Sequence, residues 1–93
     1  MVNHNYYNYE GLSNLSLYKI GNLAFLDLPI YVQTPNVNWY KVGSVSIKPK
    51  TATYFGRYGT DYVEIYINTN GEIYAAGGTA SHHSYIPIVY ITN

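Results

Sequence analysis

The side chains of this chain that could move a proton near neutral pH are five carboxylates, Glu10, Asp27, Asp61, Glu64 and Glu72, and three histidines, His4, His82 and His83. Glycoside hydrolysis would need two of the carboxylates to face each other across a cleft. A chain of 93 residues built as sheet offers little depth for one. Asp27 stands among apolar neighbours and reads as a carboxylate on the solvent side of an edge strand. His82 and His83 are adjacent, so in a strand they point to opposite faces and cannot share one metal ion. No nucleophile elbow or other signature of Ser-His-Asp chemistry is present. The residues therefore point to a protein that binds without chemistry, with no catalytic residue, no metal and no cofactor.

Saccharide recognition asks for less. It needs a flat aromatic against the C–H face of a sugar and a few polar groups reaching its hydroxyls, without depth and without tuned pKa values. Trp39 falls in a loop, an expensive place for an apolar ring unless it packs or binds. Arg57, Tyr58 and Asp61 share a second loop that offers fork-like donors and an acceptor, and His82 and His83 fall in a third. Each has a structural alternative. Trp39 would otherwise plug the core between two sheets, Arg57 and Asp61 would form a local surface ion pair, and the histidines would occupy a solvated turn.

These loops must be carried by strands. Helical periodicity is hard to find, whereas short alternating runs separated by Gly, Pro and Asn recur, which is the pattern of an all-β domain. Residues 1–14 read as a linker or a first edge strand, and residues 15–93 as the folded domain. Leu15 to Ile20 predicts a strand, with Gly21-Asn22 as a tight turn. The next strand places Ala24, Leu26, Leu28, Ile30 and Val32 on a core face and Leu23, Phe25, Asp27 and Tyr31 on the other. Pro29 marks an edge or a bulge within it. Val45 and Ile47, alternating with Ser44, Ser46 and Lys48, predict a half-buried strand closed by Pro49, and Ala52 to Phe55 a short one. The clearest hairpin has Val63, Ile65 and Ile67 inward, a turn at Thr69-Asn70-Gly71, and Ile73 and Ala75 returning. In the last strand, Tyr85 to Ile91, both faces are apolar. It is expected to be buried on both sides, in the middle of a sandwich or against a neighbouring subunit.

Composition agrees and excludes several classes. At 10.5 kDa there is room for one domain. Charged residues make up 11% of the chain, and five cations balance five anions, so no basic field exists to collect nucleic acid. Hydrophobic residues reach 47%, which argues against disorder. Without cysteine the fold cannot rest on disulfides or thiolate metal sites. No apolar run approaches the roughly 20 residues of a membrane-spanning helix. The start, Met1-Val2-Asn3-His4-Asn5-Tyr6, lacks the pattern of a signal peptide and reads as a cut within a longer protein. Polarity comes instead from ten Asn, the Ser and Thr, and thirteen Tyr hydroxyls. That mixture suits contact surfaces, although tyrosine is also a good strand former. A small, neutral chain with this much apolar surface invites association with copies of itself.

The run Leu17-Tyr18-Lys19-Ile20-Gly21-Asn22-Leu23-Ala24-Phe25-Leu26, then Val42-Gly43 and a Pro49 loop, then Ile65-Tyr66-Ile67-Asn68-Thr69-Asn70-Gly71-Glu72-Ile73, resembles the C-terminal heads of phage receptor-binding proteins of tail tips and baseplates, especially those of siphophages infecting lactococci. The resemblance spans roughly residues 15 to 93, and its motifs are short. It implies an antiparallel Greek-key or jelly-roll-like β-barrel or sandwich, three copies about one axis, and a host cell-wall saccharide bound in or near the cleft between protomers. Residues 1–14 would then be the end of a neck or shaft leading to the rest of the tail or baseplate, and the protein would sit at the virion tail tip. Heads of this kind commonly use Trp, His, Asp and Arg at the saccharide site, for which Trp39, His82 or His83, Asp61 and Arg57 are the residues of matching type. Two other expectations compete: a structural or assembly module of a virion tail, and a small monomeric carbohydrate-binding module attached to an enzyme.

Overall fold

The computed structural model describes residues 7–9, 17–35, 38–56 and 63–93. They form eight strands: β1 (Tyr7–Tyr9), β2 (Leu17–Ile20), β3 (Leu23–Val32), β4 (Tyr40–Ser44), β5 (Thr53–Gly56), β6 (Val63–Ile67), β7 (Glu72–Gly77) and β8 (His82–Ile91). The fold is all-β and every pairing is antiparallel. No helix among the described residues is long and apolar enough to cross a membrane.

One sheet is organised by β3, which pairs over its whole length with β8 on one side and with β2 and β1 in succession on the other. Strand β2 covers Leu23 to Leu26 and β1 covers Ile30 to Val32, so among the described residues Asp27 to Pro29 is paired on the β8 side alone. This local gap accommodates Pro29, whose nitrogen cannot donate to a ladder. The register with β8 runs through it without a bulge.

The second sheet has the order β4-β7-β6-β5. Strands β5, β6 and β7 follow one another, and β4, joined to β5 by a long connection, lies beside β7, which is a Greek key. The β6–β7 hairpin forms as its alternation predicts, with Val63, Ile65, Ile67, Ile73 and Ala75 fully buried. The four residues between its strands, 68–71, end in Gly71 at φ 85°. Asn68 fastens the loop, its Oδ1 accepting from the backbone N–H of Asn70 and of Glu72, each at 3.0 Å.

The two sheets pack face to face as a sandwich. Ala24, Leu26, Leu28, Ile30, Val32, Ile86, Ile88 and Tyr90 from the first meet Val42, Val63, Ile65, Ile67, Ile73 and Ala75 from the second in one apolar cluster. Each large member contributes about 2 kcal/mol through the area it removes from water. The core face expected for β3 is therefore correct in every residue.

Three expectations are corrected. Residues 44–48 are not a strand beyond Ser44, and the strand lies four residues earlier, at Tyr40–Ser44. Val45 is buried, Ser46 exposed, Ile47 half-buried and Lys48 exposed, so the alternation gave burial correctly, but the segment has no ladder partner. Its backbone is satisfied elsewhere. The Val45 N–H donates to the Gly71 carbonyl at 2.8 Å, Tyr90 Oη donates to the Ile47 carbonyl at 2.6 Å, and Thr92 Oγ1 donates to the Lys48 carbonyl at 2.6 Å. Second, His82 and His83 belong to β8 and not to a loop, because β3 is long enough to offer Val32 and Tyr31 as their partners. Third, β8 is not the middle of a sandwich: among the described residues it pairs with β3 alone, Ile86, Ile88 and Tyr90 are inside, and Val89 and Ile91 are 49% and 55% exposed, the face left for a neighbouring subunit in the other arm of the expectation.

Candidate functional site

Along the hairpin, the residues that alternate with the core positions face outward. Strand pairing sets Tyr54 of β5 opposite Tyr66 of β6, Tyr66 opposite Tyr74 of β7, and Tyr74 opposite Lys41 of β4. This is one row of three phenol rings and an ammonium crossing all four strands. A β-bulge between Lys41 and Gly43 keeps Val42 buried in the core while Lys41 stays outside.

Trp39 immediately precedes β4. Since Tyr40 pairs with Ala75, Trp39 stands beside Ala76, an outward position of β7 that is nevertheless 1% exposed. From there the indole meets rings of β5 and β6. Its centroid lies 5.8 Å from that of Tyr54, with the rings edge to face at 77°, and 6.1 Å from that of Tyr66. Tyr66 and Tyr74 are 6.2 Å apart. These are ordinary separations for attractive aromatic pairs. Trp39, Tyr54, Tyr66, Tyr74 and Asn68 line a groove of about 500 Å³ on the outer face of the sheet.

A polar pair lies beside the groove, next to its Asn68 and Tyr74. Lys41 Nζ lies 2.9 Å from Glu72 Oε2, and Asn68 Nδ2 donates to Glu72 Oε1 at 2.9 Å. The Asn68 amide and the Lys41 ammonium hold the Glu72 carboxyl below its usual range, and the same carboxylate raises Lys41. At neutral pH both are ionised, so what borders the groove is a closed, net-neutral pair with hydrogen-bonding capacity left on each partner.

Of the six residues expected at a saccharide site, Trp39 alone is found in this groove among those whose side chains are described. It is 41% exposed and is not a core plug. Arg57, Tyr58 and Asp61 lie outside the described residues, as does the side chain of His82. His83 is exposed on the outer face of the other sheet, where its ring lies 4.8 Å from that of Tyr31. The structure does not bring it to Trp39 within one chain. Tyr54, Tyr66, Tyr74, Asn68, Lys41 and Glu72 were not expected. A signal for two of them was present: with the turn fixed at Thr69-Asn70-Gly71, Tyr66 and Tyr74 are equidistant from it and must face each other. Tyr54 and Lys41 arrive through pairings with no such local marker.

Among the described residues, no group of three or more His, Asp or Glu side chains could hold a metal ion. No protein-family model, no curated protein and no solved structure matches the chain. What the fold and the groove define is thus a class: an antiparallel β-sandwich with an aromatic groove on one outer face.

Proposed function

We propose that the protein recognises a saccharide without chemistry, by stacking it in the groove of Trp39, Tyr54, Tyr66 and Tyr74, and that it serves as the receptor-binding head of a phage tail at the virion tip. The observation that carries the first half is the exposure of aromatic rings as a continuous surface: Trp39 is 41% and Tyr54 56% exposed. Exposed rings on a rigid sheet meet the C–H faces of a sugar at little entropic cost, because tyrosine and tryptophan have only two side-chain torsions to freeze. The second half rests on the sequence resemblance to phage heads and on the antiparallel sandwich that such heads lead one to expect.

A second reading, an assembly module of a virion tail, is favoured by the opposite side of the molecule. There Tyr18, Ile20, Leu23, Val89 and Ile91 are exposed side by side on β2, β3 and β8. The two readings are compatible. In a trimer this face packs against further copies of the chain and the aromatic groove stays open to host saccharide, a site away from the inter-protomer cleft that the resemblance implies. The bound partners are then a bacterial cell-wall glycan, two sister subunits and, through the N-terminal side, the rest of the tail or baseplate.

The test is titration of the chain with cell-wall saccharides of candidate hosts, followed by the emission of Trp39, the single tryptophan. Saturable change in emission, and competition by the isolated chain with phage adsorption, are expected. A chain that binds host cells equally well with and without Trp39 would overturn the role of the groove.

A further inference from the structure

From the polar pair beside the groove we infer the class of glycan it accepts: an uncharged one, whose hydroxyls are read by Lys41, Glu72 and Asn68, in preference to glycans carrying phosphate or uronate groups. This rests on the saccharide reading of the groove and deepens it.

Between Lys41 and Glu72 the charge is balanced atom by atom. Lys41 Nζ is 2.9 Å from Glu72 Oε2, and the other carboxylate oxygen already accepts from Asn68. An anion drawn to the ammonium would have to lie within the same few ångströms of the carboxylate, and a cation drawn to the carboxylate would meet the ammonium, so neither gains net attraction. A hydroxyl meets no such conflict. It both donates and accepts, so it can give its proton to a carboxylate oxygen of Glu72 while taking one from Lys41, which retains protons beyond the one directed at Glu72. Two neighbouring hydroxyls on one pyranose ring present this combination twice.

The remainder of the face supports the same assignment. Tyr54, Tyr66 and Trp39 offer apolar faces and neutral polar tips. The other ionisable side chain at an outward position of β6 is Glu64, two residues from Tyr66, which adds a negative charge that disfavours anions further. Lys41 is the cation of the Tyr54, Tyr66 and Tyr74 row, and it is the one engaged by Glu72. Both members of the pair are partly exposed, 41% and 31%, so hydroxyls can reach them without displacing protein.

The experiment titrates Trp39 emission with matched trisaccharides, neutral (cellotriose, maltotriose, chitotriose) and anionic (trigalacturonate), together with a glycerol phosphate oligomer, at low and at high salt. At least one neutral ligand is expected to bind about tenfold more tightly than either anionic one, with an affinity that hardly changes with salt. Glu72→Gln keeps the shape and the Asn68 contact geometry but frees the ammonium. It is expected to raise affinity for the anionic ligands about tenfold at low salt, and to lose that gain at high salt. Tighter binding of an anionic ligand by the unaltered chain, abolished by Trp39→Ala, would overturn the inference and leave the groove standing. Anionic affinity unmoved by Glu72→Gln would also overturn it. Binding of these ligands that survives Trp39→Ala, or no binding at all, removes the groove reading and the inference together.

Discussion

Trp39 concentrates the functional argument in one side chain, and its half-exposed position separates affinity from stability. Trp39→Ala is expected to weaken saccharide binding about thirtyfold, the weight of an aromatic anchor worth about 2 kcal/mol. Thermal unfolding should shift by no more than about 1 kcal/mol, because the indole closes no core. Parallel titrations and melting curves check this, and a large loss of stability with affinity intact would reverse the assignment. Two glycines give a sharper structural contrast at the same scale. Gly21 and Gly71 both have positive φ, but a Cβ on Gly21 would meet open space, while one on Gly71 would lie 2.5 Å from the Val45 carbonyl oxygen. Gly71→Ala is therefore expected to cost about 2–3 kcal/mol and Gly21→Ala about 1 kcal/mol, measured by denaturant unfolding. Equal costs would mean that the hairpin loop gives way without strain. Glu72 supplies a pH dependence. Its folded pKa is lowered, so its contribution is present above the ordinary value of 4.5 and fades as pH falls through the lowered one. The pKa of Lys41 is raised, so its share is present below 10.5 and fades as pH rises through the raised value. The pair should be intact between these limits, and Glu72→Gln should remove the acid limb of a stability-versus-pH profile at this site.

At the scale of elements, the connection from β4 to β5 shows why a sheet pattern need not end in a sheet. Residues 45–48 alternate as a strand would, and their side chains are buried and exposed accordingly, yet the backbone is tied to the hairpin turn and to the last strand. Periodicity reports which side faces the core, while strand identity also requires a neighbour at ladder distance. The anchoring is testable. Tyr90 is 3% exposed and its hydroxyl holds the Ile47 carbonyl at 2.6 Å, so Tyr90→Phe is expected to cost about 1 kcal/mol in chemical denaturation. A neutral result would mean that water replaces the hydroxyl. Core truncation gives the scale for comparison: Leu28→Ala in β3, at a fully buried position, is expected to cost about 3 kcal/mol.

For the molecule as a whole, the two outer faces of the sandwich differ in kind. One carries the aromatic groove with the neutral polar pair beside it, and the other an apolar strip of Ile20, Leu23, Val89 and Ile91 with Tyr18. Sedimentation equilibrium should give a mass near three times 10.5 kDa for the proposed trimer. Ile91→Lys, at an exposed position, is expected to return the monomer without altering the fold. A monomer at micromolar concentration before any substitution would count against assembly through this face and leave the groove on a single subunit.

What the sequence determined by itself is the local part. Alternation fixed the inner face of β3 and the whole β6–β7 hairpin, since side-chain direction in a strand depends only on parity and the turn residues set the register. Trp39 stood out as an aromatic ring without an obvious place in a core. Tertiary structure decided the rest. Only the Greek-key order of the second sheet brings Tyr54 and Lys41 to the ends of the Tyr66–Tyr74 row, and only tertiary packing sets Trp39 against Tyr54 and Tyr66. It likewise put His83 on the opposite face from Trp39, because the pairing partner of each outer strand is chosen by long-range packing, which leaves no periodic trace in the chain.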